Sequence, residues 1–248
     1  MPTDELQRPR PPAPADDWAL FLDVDGTLLE FAESPELVRV PAGLVDMLAS
    51  LRQHLDGALA LVSGRRLAKL DQLFTPLRLP AAGLHGLERR HADNHIDPPT
   101  PPSLLAILQR KAELVTGRFP GALVEDKDST IALHWRGNPA AEQPLRELAE
   151  AALPWLHDYR LQAGDGVVEV RPSGTDKGDA IAALLGEAPF AGRTPVFVGD
   201  DLTDEHGFEV VLRHGGLAVL VGDRQPSLAR HRLPDIAAVM AWLDAATP

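Results

Sequence analysis

Trp18-Ala-Leu-Phe-Leu-Asp-Val-Asp-Gly-Thr27 is the stretch on which the fold turns. Its apolar run, halted by Asp23, Asp25 and Gly26, makes a strand covered on both faces rather than one that alternates between core and water. Working outward, Leu44, Val45, Leu48 and Leu51 recur at helical spacing after Pro41, so a helix is expected over 42–54. Ala58-Leu-Ala-Leu-Val-Ser-Gly64 reads as a second buried strand, and 67–74 as a short helix. The alternation resumes late in the chain. Lys177–Leu185 reads as a helix, 195–201 as a strand, 204–212 as a helix, 216–222 as a strand and 236–245 as a closing helix. This order predicts a parallel sheet with crossover helices.

The middle of the chain differs. Asp97-Pro-Pro-Thr-Pro-Pro102 reads as a stiff domain boundary. A helix over 103–118, strands over 122–125 and 130–136, a helix over 142–157 and strands over 159–163 and 166–171 follow it. The expected architecture is α/β: a Rossmann-like parallel-sheet core over 18–98 and 173–248, with an inserted α+β cap domain over 99–172. Residues 1–17, which hold five prolines, are expected to be a disordered or extended lead-in.

A chain of 248 residues can bury a sizeable core without disulfides or a structural metal. Cysteine is absent, which excludes thiol catalysis and thiolate zinc sites and fits the reducing cytoplasm, the expected location. With 24 basic against 36 acidic residues the net charge is −12, which disfavours nucleic acid and anionic membrane as partners. The longest apolar runs, Gly215–Gly222 and Ile236–Leu243, fall well short of the ~18 residues needed to span a bilayer. The first 17 residues contain no apolar secretory core.

Three strand ends finish in polar residues: Asp23 and Asp25, then Ser63, then Asp200 and Asp201. Ligands of open parallel sheets sit outside the carboxyl ends of the strands, so these groups are expected on one rim. Carboxylates at the end of a buried strand are costly to desolvate, and a divalent cation would offset that cost. Oxygen ligands favour magnesium, with Asp23 and Asp200 supplying carboxylates and Asp204 as a further contributor. Zinc is disfavoured by the missing cysteine and the lack of an H-E-x-x-H pattern, and no P-loop is present. Lys177 sits in a first helical turn, against the usual dipole preference, which points to a functional reason for it.

Asp23-Val-Asp-Gly-Thr27, Ser63, Lys177 and Gly199-Asp-Asp-Leu-Thr-Asp204 resemble, in order, the four motifs of haloacid dehalogenase-like phosphatases. Leu61-Val-Ser-Gly-Arg65, Gly83-Leu-His-Gly86, Val124-Glu-Asp-Lys127, His134-Trp-Arg136 and Val168-Glu-Val-Arg-Pro-Ser-Gly174 sharpen the likeness to the trehalose-6-phosphate phosphatases. That resemblance implies Asp23 as nucleophile, forming an aspartyl phosphate, and Asp25 as general acid and then base. It implies Ser63 and Lys177 as holders of the phosphate oxygens. Mg2+ would be bound by Asp23, Asp200 and the Asp25 carbonyl, supported by Thr27, Asp201 and Asp204. Arg65, His85, Glu125, Lys127, His134, Arg136, Glu169, Arg171 and Gly174 are the implied substrate contacts, with Trp135 open to a packing role. The substrate would be trehalose 6-phosphate, with functional coupling to a trehalose-phosphate synthase, and a monomer is expected. Two alternatives stay open: a phosphatase of sucrose phosphate or a mannosyl phosphoglycerate, and a non-catalytic sugar-phosphate binding protein.

Overall fold

A computed structural model describes residues 8–30, 38–97, 103–127, 129–156, 159–173 and 176–245. The chain divides into two compact units, residues 1–97 with 175–248, and residues 98–174.

In the first unit, strand β1 (Trp18–Leu22) is buried along its whole length. Helix α1 (Leu44–His54), strand β2 (Leu59–Val62), helix α2 (Leu67–Leu73) and strand β3 (Ala81–Gly83) follow. The chain then adds two antiparallel edge strands, β4 (Glu88–Arg90) and β5 (Ile96–Asp97). In the second unit, helix α3 (Ser103–Thr116), strands β6 (Leu123–Asp126) and β7 (Ile131–His134), helix α4 (Glu142–Ala152), and strands β8 (Tyr159–Gly164) and β9 (Val167–Pro172) form an antiparallel sheet ordered β6-β7-β9-β8. The first unit resumes with α5 (Lys177–Leu185), β10 (Thr194–Gly199), α6 (Glu205–Arg213), β11 (Leu217–Val221), β12 (His231–Leu233) and α7 (Ile236–Asp244).

The large sheet runs β12-β11-β10-β1-β2-β3-β4-β5. From β12 to β3 every pairing is parallel. The chain leaves β1 toward β2 and β3, then returns on the other side through β10, so the strand order reverses between β1 and β10. A crevice lined by Gly26 and Asp200 opens at the carboxyl ends there. Leu22 is paired with Val198, and the Asp23 amide donates to the Val198 carbonyl at 3.0 Å, so Asp23 and Asp200 leave the sheet side by side.

Continuous apolar strands and two helix pairs, α5 with α6 and α1 with α7, feed one core around Phe21, Phe197 and Leu220. Helix α1 starts two residues later than its spacing predicts, because Gly43 turns the chain with φ +82°. Residues 8–17 form no helix or strand, yet they are tied down: Arg232 N donates to the Pro9 carbonyl and Trp242 Nε1 to that of Pro12. In the second unit, α3 and α4 pack together on one face of the sheet over Ile131, Leu133, Val168 and Val170. Trp135 packs there too, at 4% exposure, with the Arg146 guanidinium 4.8 Å above its ring. No helix among the described residues is long and apolar enough to cross a membrane.

Candidate active site

The loop after β1 turns sharply at Gly26 (φ +85°). A Cβ there would lie 2.2 Å from Asp200 Oδ2, so this glycine both permits the turn and leaves room for the neighbouring carboxylate. Asp23 is 3% exposed, and burial, against the charge of Lys177, pushes its pKa up to about 7. Asp200 is pushed up to about 6, first by burial and then by Asp204 and Asp201.

Lys177 is the counter-charge. Asp176 and Asp179 form a reciprocal capping box that fixes the start of α5. Lys177, the next residue, is thereby aimed inward and is itself 3% exposed. Its Nζ donates to Asp23 Oδ1 at 2.8 Å and to Asp204 Oδ1 at 2.7 Å. Burial alone would lower the lysine pKa; Asp23 and Asp204 outweigh it and push it up, so the ammonium stays charged. Its unfavourable place at a helix N-terminus is offset by two carboxylates rather than by solvent.

Asp204 is completely buried, and its second oxygen accepts the amides of Asp200 and Asp201, each at 2.9 Å. Asp201 is committed to the following 3₁₀ turn, where its Oδ1 accepts Thr203 N, Thr203 Oγ1 and Asp204 N. One oxygen from each of Asp23, Asp200 and Asp204 falls within 4.8 Å of the others. Asp200 Oδ1 is buried with no hydrogen-bond partner. Converging hard oxygens, one of them unsatisfied, suit a divalent cation. Because Asp204 already accepts three or more hydrogen bonds, Asp23 and Asp200 are the carboxylates left to face it.

The Asp25 carboxylate is not one of these three oxygens; it is held by Arg65 through Nε–Oδ2 and Nη2–Oδ1 bonds of 2.7 Å each. Such a bidentate fork fixes the plane of the carboxylate as well as its position. Arg65 is thus spent on Asp25 rather than presented as an open cation. The Ser63 hydroxyl, wholly buried, accepts Arg65 N at 3.1 Å and keeps its own proton available to donate. Thr27 is buried with an unpartnered Oγ1 beside the same loop. Leu84 and His85 both adopt left-handed backbone (φ +48° and +57°), strain of the kind that surrounding structure must enforce. The enforcement is visible: Leu84 N donates to the Arg65 carbonyl and His85 N to that of Ser63, each at 2.9 Å. The His85 ring lies against Gly64, where a Cβ would come within 2.7 Å of Nε2.

The second unit carries its own polar cluster. On the sheet face opposite its core, Glu125, Ala132, Glu169 and Gln162 lie in one cross-strand row. Lys127 Nζ donates to Glu169 Oε1 at 2.7 Å and lies 3.7 Å from Glu125. His134 Nε2 is 3.0 Å from Glu125 Oε2, and that hydrogen bond, joined by Lys127, holds the Glu125 carboxyl below its ordinary range. Arg171 donates to Gln162 at 2.9 Å. Arg136 does not join them; it is engaged with Asp165 in the β8–β9 turn. Gly174 lies outside the described residues.

One contributor escapes the motifs. Arg224, in the loop after β11, donates to the carbonyls of Asp200 and Asp201. The apolar run 216–222 is followed by Asp223 and Arg224, polar residues after a buried strand as at the other ends of this rim, and that parallel could have directed attention to them.

The doubly wound sheet thus brings the aspartates after β1, the buried lysine of α5 and the acidic loop after β10 to one rim. A solved Bacteroides thetaiotaomicron protein, described among the phosphatases of the haloalkanoate (HAD) enzyme superfamily, shares the fold, with a TM-score of 0.62 at 15% identity over 90% of this chain and 91% of the other. The chain belongs to the trehalose-phosphatase family, whose sequence profile matches residues 21–236. It is 46% identical over 213 residues to a Sinorhizobium fredii protein described as "Probable trehalose-phosphate phosphatase", covering 86% of this chain and 80% of that one. It is 44% identical over 232 residues to a trehalose-6-phosphate phosphatase of Escherichia coli, covering 93% and 86%. The C-terminal domain of the C. albicans trehalose-6-phosphate phosphatase superposes with a TM-score of 0.73 at 20% identity, over 94% of this chain and 92% of that one.

Proposed function

We propose that this protein hydrolyses trehalose 6-phosphate to trehalose and inorganic phosphate in a magnesium-dependent reaction. The observation that carries the reading is the juxtaposition of a buried carboxylate, Asp23, with a buried ammonium, Lys177, at the crevice where the strand order reverses. Asp23 attacks phosphorus: the Oδ–P bond forms as the bond to the sugar oxygen breaks. Asp25 protonates that leaving oxygen and then takes a proton from the water that cleaves the aspartyl phosphate. Lys177 and the Ser63 hydroxyl hold the phosphoryl oxygens, Thr27 supports the loop that carries Asp23 and Asp25, and Arg65 orients Asp25. Asp23, Asp200 and the Asp25 carbonyl would hold the cation, which supplies charge neutralisation of the phosphoryl group. Asp204 and Asp201 order the loop that presents Asp200.

We read the Glu125, Lys127, His134, Glu169 and Arg171 face as recognising sugar hydroxyls, for which charged partners are strong acceptors and donors. Glu169→Ala is expected to lower kcat/KM for trehalose 6-phosphate about tenfold. It should leave p-nitrophenyl phosphate, which lacks the sugar, nearly unaffected; equal losses on both substrates would oppose the assignment. The absence of cysteine supports a cytoplasmic setting.

The experiment that tests the whole reading is a phosphate-release assay over trehalose 6-phosphate, sucrose phosphate and a mannosyl phosphoglycerate, with Mg2+ and with chelator. Release from trehalose 6-phosphate alone, lost on chelation and restored by Mg2+, is expected. Release from none of them would overturn it.

Metal linkage adds a second check. Without an ion, the raised carboxyls of Asp23 and Asp200 contribute stability that is complete below 3.8 and is lost as pH rises through about 6 to 7. The cation binds the ionised forms, so it restores most where protonation no longer helps. The rise in Tm on adding Mg2+ is therefore expected to be larger at about pH 8 than at about pH 5. Scanning calorimetry showing the same rise at both would contradict these groups as ligands.

A further inference from the structure

The backbone at Asp200 and Asp201 is gripped from both sides. Its amides donate to Asp204 Oδ2. Its carbonyls accept from Arg224: Nε to Asp200 O at 3.3 Å and Nη2 to Asp201 O at 3.0 Å. The same guanidinium donates to the Pro226 carbonyl at 2.8 Å and to Glu205 Oε1. Glu205 in turn accepts Leu228 N at 2.8 Å through Oε2. An anion thus holds the amides and a cation the carbonyls of the loop that carries Asp200.

We infer that Arg224, braced by Glu205, is a positioning residue that fixes the 200–201 backbone so that the Asp200 carboxylate meets the cation in place. The inference rests on the magnesium-dependent reading of the site. A ligand on an unbraced loop must be ordered when the ion binds, whereas a braced one is ordered when the chain folds. Only a planar guanidinium can serve two successive carbonyls and a carboxylate together; a lysine ammonium is a single point. Through charge alone Arg224 would have the opposite effect, since a cation near the site repels Mg2+. Glu205 neutralises that charge while keeping the fork in place.

The opposing signs make a test. Mg2+ is titrated calorimetrically into the full-length protein without substrate, comparing the wild type with Arg224→Met, Arg224→Lys and Glu205→Gln. Positioning predicts a Mg2+ Kd raised about tenfold in Arg224→Met, with no rescue in Arg224→Lys. Glu205→Gln should also weaken binding, because the amide sets a donor against either Arg224 or Leu228 N. The KM for trehalose 6-phosphate at saturating Mg2+ should stay unchanged. An unchanged or tighter Mg2+ Kd in Arg224→Met overturns the inference. If that variant does not fold, Glu205→Gln decides on the same criterion. A wild-type chain that binds no Mg2+ and releases no phosphate overturns the functional reading itself, an outcome distinct from a variant that matches an active wild type.

Discussion

Asp23→Asn is expected to reduce phosphate release at least ~10³-fold, roughly 4 kcal/mol of transition-state stabilisation, in a protein that remains folded. The amide has the shape of the carboxylate but no charge with which to attack phosphorus or hold a cation. Folding should survive for reasons specific to this site. Lys177 keeps Asp204 as a partner at 2.7 Å, so the ammonium is not left bare. Burial raises the pKa of Asp23 to about 7 in the metal-free fold, so near neutrality its neutral form is about as favourable as its charged form. A neutral isostere removes that burden above neutrality, so Tm without metal should stay within a few degrees of the wild type. Steady-state rates near normal, measured on protein freshly purified to avoid deamidation back to aspartate, would remove Asp23 from the nucleophile's role.

Lys177→Met is expected to cost about 10²–10³-fold in kcat, as loss of a pre-aligned charge at a developing anion does. Unlike the first variant, it should also destabilise. Asp23 and Asp204 are both buried and would lose the ammonium they share, and breaking a buried pair costs about 3–5 kcal/mol. For a unit of this size that is roughly 10 °C in Tm. The deficit should shrink toward about pH 5, where the two carboxyls protonate, and on adding Mg2+ at about pH 8, where the ion replaces the missing charge. Differential scanning calorimetry at both pH values reads this directly. A Tm independent of pH and metal would mean that the lysine does not neutralise these carboxylates.

Much of the first unit was legible because a parallel strand buried on both faces is a continuous apolar run, as in β1, β2, β10 and β11. Helix α5 was read with its observed bounds, and the structure adds that Asp176 and Asp179 cap its start. Strands β3, β4, β5 and β12 went unread because they are two or three residues long and carry no periodicity. In β4 the charges of Glu88 and Arg90 argue for a loop. Their partners explain the strand: Glu88 accepts Leu67 N, and buried Arg90 donates to the Leu79 carbonyl and to Asp71. None of those partners is visible from spacing. Helix α4 stops at Ala152 rather than continuing to 157 because Pro154 lacks the amide the next turn needs, and Leu153–Trp155 tightens into a 3₁₀ turn.

At the site, the motifs marked the residues but not their allegiances. Asp204 and Asp200 are equivalent as letters; only the fold shows one saturated by Lys177 and two amides, and the other with an unsatisfied oxygen. Arg65 was expected as a substrate contact from the family resemblance, and spacing did not show its bidentate pairing with Asp25.

The pairing of β1 with β10 has a cost during synthesis. Everything from Asp23 to Arg193 must leave the ribosome before β10 can dock, on the order of ten to thirty seconds at usual elongation rates. Until then β1, a strand buried along its whole length in the finished fold, exposes an open edge, a template for pairing with other chains. The inserted second unit lengthens that wait while contributing nothing to the missing strand. Yield in the cell should therefore depend on chaperone capacity more steeply than the stability of the finished fold would suggest.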